Sequence, residues 1–270
     1  MLVPTLMSKQ QATYKVPSWN EGTDFEIMRA LEKHYAGEID ITEYWSVGDE
    51  RTVHLSTMSN QGYVSENHVE QDVTFVLMHT GGKELVEPIN GHTECAFIVG
   101  QKNCLANGAT IETGYMNSSA STAGGWNDSK RRSWCNNVYY NANPLQQIFK
   151  QFKNITSKGS SGQSIKITSN DYFALPSEKE IWGTTQYSDS TAEEDNIQFE
   201  YYSISLNRIK GVEINKSVYS QYWLRSPSKY GSEYFCKVGY SVSGNSYTAV
   251  WDSSEADYAD GIGIAPFGVI

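Results

Sequence analysis

The sequence has few cysteines. Four cysteines occur among 270 residues, which is too few for the disulfide framework of a small secreted domain. No two of them have the CxxC spacing of a zinc ribbon or a redox site. We therefore expect reduced cysteines in the core, and the sequence leaves open whether Cys135 and Cys236 meet in space. The four are Cys95, Cys104, Cys135 and Cys236.

Long apolar runs are also missing. No window approaches the roughly 20 consecutive apolar residues that a membrane-spanning helix needs. The first ten residues lack the charged start and the apolar run of a secretory signal. The expectation is a protein without a membrane partner that is made in the cytoplasm with no signal peptide.

Positive charge is scarce. The chain has 21 Lys and Arg against 31 Asp and Glu, a formal net charge of −10. Binding to duplex nucleic acid or to an anionic bilayer depends on Lys and Arg, so the composition disfavours nucleic acid as a partner. The one basic cluster, residues 130–132, is short, and we expect it on a helix face in salt bridges with nearby acids.

The motifs of catalytic and metal sites are absent. The five histidines have no HExxH spacing, and no GxSxG elbow occurs. Residues 81–83 (GGK) are too short for a phosphate-binding loop. We therefore expect no catalytic residue, no metal and no cofactor. Calcium stays open as an alternative at four acids whose spacing is not that of an EF-hand: Asp252, Glu255, Asp257 and Asp260.

The first third of the chain predicts a short arm, then a helix and strands. Residues 1–20 show no periodicity and are expected to form an arm or attachment segment before a single domain over residues 21–270. Thr23 and Glu26 have the spacing of a capping box, and Gly37 ends the predicted helix. Apolar alternation predicts strands within residues 44–58 and 71–79. The helix face expected to be buried contains Phe25, Met28, Leu31 and Tyr35.

The middle of the chain predicts further helices. One is expected around residues 132–140, and a second with Asn143 as its cap and Pro144 in its first turn. Capping boxes at residues 177–180 and 191–194 predict two more, the last running towards Tyr202. Together these elements predict an α+β fold with mixed or antiparallel sheets, packed helices and long loops. The face of the second helix contains Leu145, Ile148, Phe149 and Phe152.

The most informative segment is residues 222–270. Its middle, residues 226–260, is rich in Tyr, Ser, Asp and Gly, the mixture that binding loops favour because Tyr is large and stiff while Ser and Gly adapt. Period-two alternation predicts a hairpin that turns at Gly244 and Asn245. The apolar ending, residues 261–270, predicts a strand docked in the core. The pattern indicates an adaptable surface between two fixed anchors.

Two strings frame this surface, WLRSP at residues 223–227 and GIAPFG at residues 263–268. They resemble the C-terminal module of variable proteins of diversity-generating retroelements in phages and gut bacteria. Strings at residues 44–51, 97–104, 114–119, 131–137 and 171–176 fit the same family, so the resemblance covers residues 14–270. It implies a C-type-lectin-like fold related to formylglycine-generating-enzyme-like domains.

The resemblance also implies a function. In that family a reverse transcriptase copies adenines unfaithfully, and the diversified residues bind a ligand. For this chain it implies a non-enzymatic, hypervariable receptor-binding protein of a bacteriophage tail or prophage, carried in the virion. Its expected partner is a bacterial surface protein or glycan, with other tail subunits and a homo-oligomer as further associations. An enzyme on the same fold, oxidase or sugar-modifying, and a structural tail or baseplate subunit stay open.

The site residues follow from the composition and the resemblance together. We expect Trp223 in the core and Arg225 in a buried ion pair, although an aromatic and Arg pair is also typical of a carbohydrate platform. If the surface does not bind ligand, the insert at residues 111–127 is the alternative. The expected scaffold anchors are Trp223, Arg225, Pro227, Pro266 and Phe267. The expected ligand-binding positions are Tyr222, Leu224, Ser228, Tyr230, Ser232, Tyr234, Tyr240, Ser243, Asn245, Tyr247, Trp251, Asp252, Ser254, Asp257, Tyr258 and Asp260.

Overall fold

The computed structural model describes residues 14–63, 67–107, 110–111, 114–213, 215–243, 246–258 and 261–270. Within these ranges the fold is mixed α+β, with antiparallel sheets and few, short helices, which confirms the predicted class. None of the helices in the described ranges combines the length and apolar character needed to cross a membrane. The α-helices are α1 Asp24–Tyr35, α2 Lys130–Trp134, α3 Tyr140–Ala142 and α4 Glu178–Trp182. The strands are β1 Glu50–Leu55, β2 Gln71–Thr80, β3 Glu84–Ile89, β4 His92–Glu94, β5 Phe97–Gln101, β6 Ala106–Asn107, β7 Thr110–Ile111, β8 Phe152–Ser157, β9 Lys166–Asp171, β10 Lys210–Val212, β11 Asn215–Pro227, β12 Tyr234–Ser243, β13 Ser246–Glu255, β14 Ile262–Gly263 and β15 Phe267–Val269.

Helix α1 begins where the sequence predicts. The backbone N–H of Glu26 donates to Thr23 Oγ1 at 3.3 Å, and that of Thr23 donates to Glu26 Oε2 at 2.9 Å, so the capping box is confirmed. The predicted buried face is partly wrong, because Phe25 is 63% exposed while Ile27 is fully buried. Two residues along a helix are about 200° around its axis, so both cannot face the core. Of the expected face, Leu31 and Tyr35 are buried.

The segment before α1 packs on the domain. Trp19 is buried, and the indole N–H of Trp45 donates to the carbonyl oxygen of Pro17 at 2.8 Å. Arg51 Nη1 donates to the carbonyl oxygen of Trp19 at 2.9 Å. Residues 17–19 of the predicted arm are therefore part of the folded domain. Residues 1–13 of that arm lie outside the described residues.

The first sheet has the strand order β1-β2-β5-β15 and confirms both early strand predictions. Strand β15 pairs antiparallel with β5, with Phe267 opposite Gly100 and Val269 opposite Ile98. A Cβ atom at Gly268 would lie 2.7 Å from the carbonyl oxygen of Tyr172, so the strand is held close to its neighbours. The docking of the C-terminal segment in the core is confirmed.

The second sheet carries the predicted surface. Its order is β10-β11-β12-β13, and β14 pairs parallel with β11. Strands β12 and β13 form the predicted hairpin, in which Val238 lies opposite Trp251 and Tyr240 opposite Ala249. The expected turn at Gly244 and Asn245 lies outside the described residues. A third sheet has the order β4-β3-β8-β9, and β6 pairs with β7.

Two helix predictions are wrong. Asn143 starts no helix: its Oδ1 accepts the N–H of Leu145 at 2.9 Å, which forms a local turn, and Phe152 of the expected helix face lies in β8. Near residue 191, Asp189 Oδ1 accepts the N–H of Thr191 at 2.9 Å and that of Ala192 at 3.2 Å. Asn and Asp side chains that bond nearby N–H groups favour turns over helices.

The helix predicted at residues 132–140 is present but irregular. Helix α2 passes through one π-turn, Cys135–Tyr139, into α3. Arg132 Nε donates to Asp171 Oδ1 at 2.6 Å, so this member of the basic cluster is in the expected salt bridge. Arg131 is buried and donates to the carbonyl oxygen of Tyr115. The four cysteines are buried and form no disulfide, as expected.

Candidate ligand-binding surface

Strand β11 lies inside the second sheet, between β10 and β12. Its side chains are buried where the predicted surface is expected to begin. Trp223 is buried, and its indole N–H donates to the carbonyl oxygen of Gly114 at 2.7 Å. Tyr222, Leu224 and Ser228 are also fully buried, so their prediction as ligand contacts is wrong. Successive side chains of a strand point to opposite faces of the sheet, so the burial of Tyr222, Trp223 and Leu224 shows that both faces of β11 are covered here.

A buried ion network holds β11 to α4. Both terminal nitrogens of Arg225 donate to the Glu180 carboxylate, and Lys83 Nζ donates to Glu180 Oε1. All three side chains are buried, so the expected buried ion pair of Arg225 is confirmed. Burial by itself raises the pKa of Glu180, but the charges of Arg225 and Lys83 outweigh it and lower the pKa to about 2.

Phe267, another predicted anchor, lies beside this network. The Arg225 guanidinium is 5.9 Å and Lys83 Nζ 5.8 Å from the centre of the Phe267 ring, so the cations also pack over an aromatic face. Pro227 and Pro266 are buried as well. All five predicted anchors are therefore buried, and Phe267 of the closing strand packs against Arg225 of β11.

Two more carboxylates, those of Glu178 and Glu193, fix the position at which the tyrosine-rich segment begins. Glu178 accepts the backbone N–H groups of Tyr187 and Ser188 at 2.9 and 2.8 Å. Ser226 Oγ accepts the N–H of Glu178 at 2.9 Å and donates to Glu193 Oε1 at 2.5 Å. The loop that Glu178 orders accepts in turn from the next segment, since the N–H of Lys229 donates to the carbonyl oxygen of Tyr187 at 2.7 Å. The chain thus leaves the core at a fixed point.

The first exposed group, here called the loop patch, lies at the base of the hairpin. Tyr230 is 68% and Tyr258 47% exposed. The Tyr230 ring meets the Tyr187 ring edge to face, with 5.5 Å between ring centres. Thr122 of the predicted insert donates its N–H and its hydroxyl to the carbonyl oxygen of Ser232, each at 2.8 Å, so the insert borders this patch. The loop patch consists of Tyr230, Ser232, Tyr234, Asp257 and Tyr258.

The second exposed group, the hairpin patch, lies at the far end of the hairpin and consists of Tyr240, Ser243 and Tyr247. The Tyr247 ring centre is 4.1 Å from that of Tyr219 and 5.9 Å from that of Tyr240. These contacts fix the ring of Tyr247 while one side of it stays accessible. Stiff, half-exposed tyrosines of this kind are typical of binding surfaces.

The two patches are far apart. Five residue pairs of the hairpin lie between Tyr234 of the loop patch and Tyr240 of the hairpin patch, a separation of about 20 Å at about 3.3 Å per residue. The residues of β12 between them, from Phe235 to Gly239, are buried, and residues 250–254 of edge strand β13, which are half-buried, connect the patches. The predicted single surface is therefore two exposed groups joined along one edge. Predicted positions Asn245 and Asp260 lie outside the described residues.

Trp251 has a neighbour that sequence patterns do not predict. Its ring stacks on that of Trp182, with 4.2 Å between centres, and the Arg208 guanidinium lies 4.8 Å from the Trp182 ring centre. Trp182 ends α4 and Arg208 ends a 3₁₀ turn, both outside the tyrosine-rich segment. Only the folded chain brings them to the hairpin.

The acids considered for calcium do not form a cluster. Asp252 is paired with Lys237, whose Nζ lies 3.2 Å from Asp252 Oδ2, and Tyr234 donates its hydroxyl to Glu255 at 3.5 Å. Across the described parts of the chain, no group of three His, Cys, Asp or Glu side chains is placed to hold a metal ion. Asp260 lies outside those parts.

Cys236 lies under the surface rather than in it. Burial raises the pKa of its thiol well above the ordinary value, and the charges of Glu178 and Glu193 act in the same direction. A protonated, buried thiol is a poor nucleophile. Cys236 therefore has the surroundings of a structural cysteine.

Comparison with known proteins assigns the chain to a family. A profile described as "Domain of unknown function (DUF6273)" matches residues 100–261. The chain belongs to the DUF6273 family. The DUF6273 region begins in β5 and includes α4, the whole hairpin and both exposed patches. No curated protein and no solved structure matches the chain significantly.

Proposed function

We propose that this DUF6273 protein is a non-catalytic, diversified receptor-binding protein of the diversity-generating-retroelement type, on a C-type-lectin-like fold related to formylglycine-generating-enzyme-like domains. Its ligand is a bacterial surface protein or glycan, and it acts from a phage tail. The observation that carries the proposal is the contrast within one segment. The residues that frame it, such as Arg225 and Phe267, are fully buried, while tyrosines between them, such as Tyr230 and Tyr258, are exposed.

This contrast is what we expect of a surface whose exposed residues vary while the fold is retained. Exchanging exposed side chains has little effect on stability, usually within about 0.5 kcal/mol. The Arg225–Glu180 pair and the closing strand carry the stability of the region and do not depend on the exposed positions. A diversifying process that spares the anchors would therefore leave a folded protein each time.

The surroundings of Cys236 favour binding over the oxidase alternative. An oxidase of the formylglycine-generating kind acts through a reactive cysteine pair near the end of the fold. Here the one cysteine in that region is buried, with a raised thiol pKa. A thiolate nucleophile needs the opposite environment, with nearby cations and solvent access.

The proposal is tested by exchanging residues 228–260 for those of a sister variant. Parent and chimera are compared on a panel of bacterial surfaces and glycans. We expect the specificity to follow the exchanged segment while the melting temperature stays near that of the parent. Identical binding by both proteins would place recognition outside the segment.

A genomic observation gives an independent test. We expect a near-repeat of codons 222–270, differing at adenines, next to a reverse-transcriptase gene. The buried positions Trp223 and Arg225 should be identical in the two copies, whereas exposed positions such as Tyr230 should differ. Adenine differences concentrated at the buried positions would contradict the assignment of the surface.

A further inference from the structure

A small pocket opens between the hairpin patch and a wall that lies outside the tyrosine-rich segment. It has a volume of about 200 Å³. Tyr247, Thr248 and Ala249 of β13 line one side, and Trp182, Ser205 and Arg208 line the other. Its size suits one ring-sized group, since pockets for whole drug-sized ligands are larger, at about 300–1,000 Å³.

Arg208 is the charged side chain that lines this pocket. Its Nε donates to the carbonyl oxygen of Tyr202 at 2.8 Å, which orients the guanidinium against the Trp182 ring. Its two terminal nitrogens donate to no residue among those that the structure describes. Burial lowers the pKa of Arg208 from its ordinary value, as expected for a partly desolvated cation.

The contrast with three other arginines that are buried or half-buried is informative. Arg51, Arg132 and Arg225 each pair with a carboxylate. In the described residues Arg208 has no such partner, although the chain carries a net charge of −10. A guanidinium with two free, parallel N–H groups matches a carboxylate in a bidentate geometry. The pocket therefore offers a fitted place for an anionic group.

The remaining lining suits a hydroxylated ring. Ser205, Thr248 and Tyr247 present hydroxyl groups, which donate and accept hydrogen bonds, and Leu206 and Ile209 add apolar surface. We propose that this pocket is a subsite for a carboxylate-bearing sugar, an acidic residue of a surface glycan, held by Arg208.

The inference rests on the proposed function, because one wall belongs to the segment that is proposed to vary. Arg208, Trp182 and Ser205 lie outside that segment. They would hold the acidic group that different ligands share, while Tyr247, Thr248 and Ala249 would select among sugars. Diversification could then change specificity without rebuilding the charged contact.

The test is a titration of the full chain with glucuronate, with glucose as the neutral control, followed by ¹H–¹⁵N NMR of the indole N–H signals. The Trp182 signal is identified with Trp182→Phe. We expect millimolar glucuronate to shift the Trp182 signal and glucose to bind at least about tenfold more weakly, since a charge-assisted contact commonly contributes a factor of this size. No shift at millimolar glucuronate would overturn the proposal.

Variants distinguish glucuronate binding in this pocket from a general attraction to positive charge on the protein. Arg208→Gln should weaken glucuronate binding at least about tenfold, whereas Arg29→Gln, which removes an exposed charge on α1, should not change it. Because Arg208 also bonds Tyr202, a second variant, Ser205→Trp, fills the pocket and leaves Arg208 in place. Unchanged binding in both pocket variants would overturn the assignment.

Titrations with other ligands determine which chemical class of ligand the pocket binds. Sulfate or a short peptide with a free C-terminal carboxylate binding as tightly as glucuronate would overturn the acidic-sugar assignment, in favour of a simple anion site or a peptide site. If exchange of residues 228–260 fails to transfer specificity while glucuronate binding still depends on Arg208, the subsite is supported and the diversified function is refuted. If specificity transfers but glucuronate does not bind, only the subsite is refuted.

Discussion

Arg225 of β11 and Glu180 of α4 form a bidentate ion pair in the interior, with both side chains fully buried. The pair joins the strand that begins the tyrosine-rich segment to the helix that orders the loop beside it. Arg225 also donates to the carbonyl oxygen of Leu175 at 2.8 Å. The buried pair thus helps to fix the position of the proposed binding surface.

Removal of one partner should therefore be costly. We expect Arg225→Met to lower the free energy of unfolding by about 3–5 kcal/mol, because the substitution leaves Glu180 buried with only Lys83 as its cation. Lys153→Met is the matched control, since Lys153 and its partner Glu84 are 39% and 58% exposed and such pairs contribute only about 1 kcal/mol or less. Urea denaturation of the two variants measures the difference. Equal losses would contradict a special role for the buried pair.

The two carboxylates near Arg225 should respond to pH in opposite directions. The pKa of Glu180 is lowered to about 2, so its stabilisation is present above its unfolded pKa of about 4.5 and is lost as the pH falls towards 2. Burial raises the pKa of Glu193, and the charge of Arg225 offsets only part of this. The folded state therefore holds the Glu193 proton more tightly than the unfolded state, and the ionised carboxylate reduces stability at higher pH.

Glu193→Gln isolates this second effect. The amide stays neutral, so the stability of the variant relative to wild type should increase from pH 5 to pH 8, while the Glu180 contribution is common to both proteins. Glu194→Gln, which changes the exposed neighbouring carboxylate, should show a much flatter difference. Thermal melts across this pH range provide the measurement. A difference that falls with rising pH would show that Glu193 is stabilised as an anion.

Exposed tyrosines should matter for binding and little for folding. We expect Tyr230→Ser and Tyr258→Ser to change the free energy of unfolding by no more than about 0.5 kcal/mol, as Tyr44→Ser should, since Tyr44 is an exposed tyrosine outside the segment. Tyr247→Ser should cost more, about 0.5–1.5 kcal/mol beyond the lost burial, because its ring packs against that of Tyr219. Binding should weaken in the first two and stay unchanged in Tyr44→Ser.

The features that the sequence predicts correctly are local or periodic. Thr23 and Ser177 each form a capping box with a residue three positions along, and the hairpin and the closing strand follow from apolar alternation. The two wrong helix predictions also come from local sequence patterns. Asn143 and Thr191 have the sequence pattern of helix caps, but the carboxamide of Asn143 and the carboxylate of Asp189 bond nearby N–H groups and form turns.

The site is less predictable than the strands that carry it. The sequence identifies the tyrosines but not the burial of Tyr222 and Leu224, because burial depends on what packs against the faces of β11. It also cannot place Arg208 and Trp182 beside Trp251, since these contacts join segments distant along the chain. Pairing between distant segments is set by the whole fold, and no spacing rule in a single sequence encodes it.

The closing strand should be essential to the fold. Ile262, Ile264 and Phe267 are each at most 1% exposed, and burying such side chains stabilises by about 1.5–3 kcal/mol each. That sum is comparable with the whole stability of a domain, about 5–15 kcal/mol, and removal of β15 also exposes the edge of β5. We expect deletion of residues 261–270 to abolish cooperative unfolding, measured by circular dichroism during a thermal melt. As control, Tyr258→Ser changes an exposed residue just before the deleted segment and should melt like the parent. A truncated protein that melts cooperatively near the parent temperature would show that β11 and β5 hold the core without the closing strand.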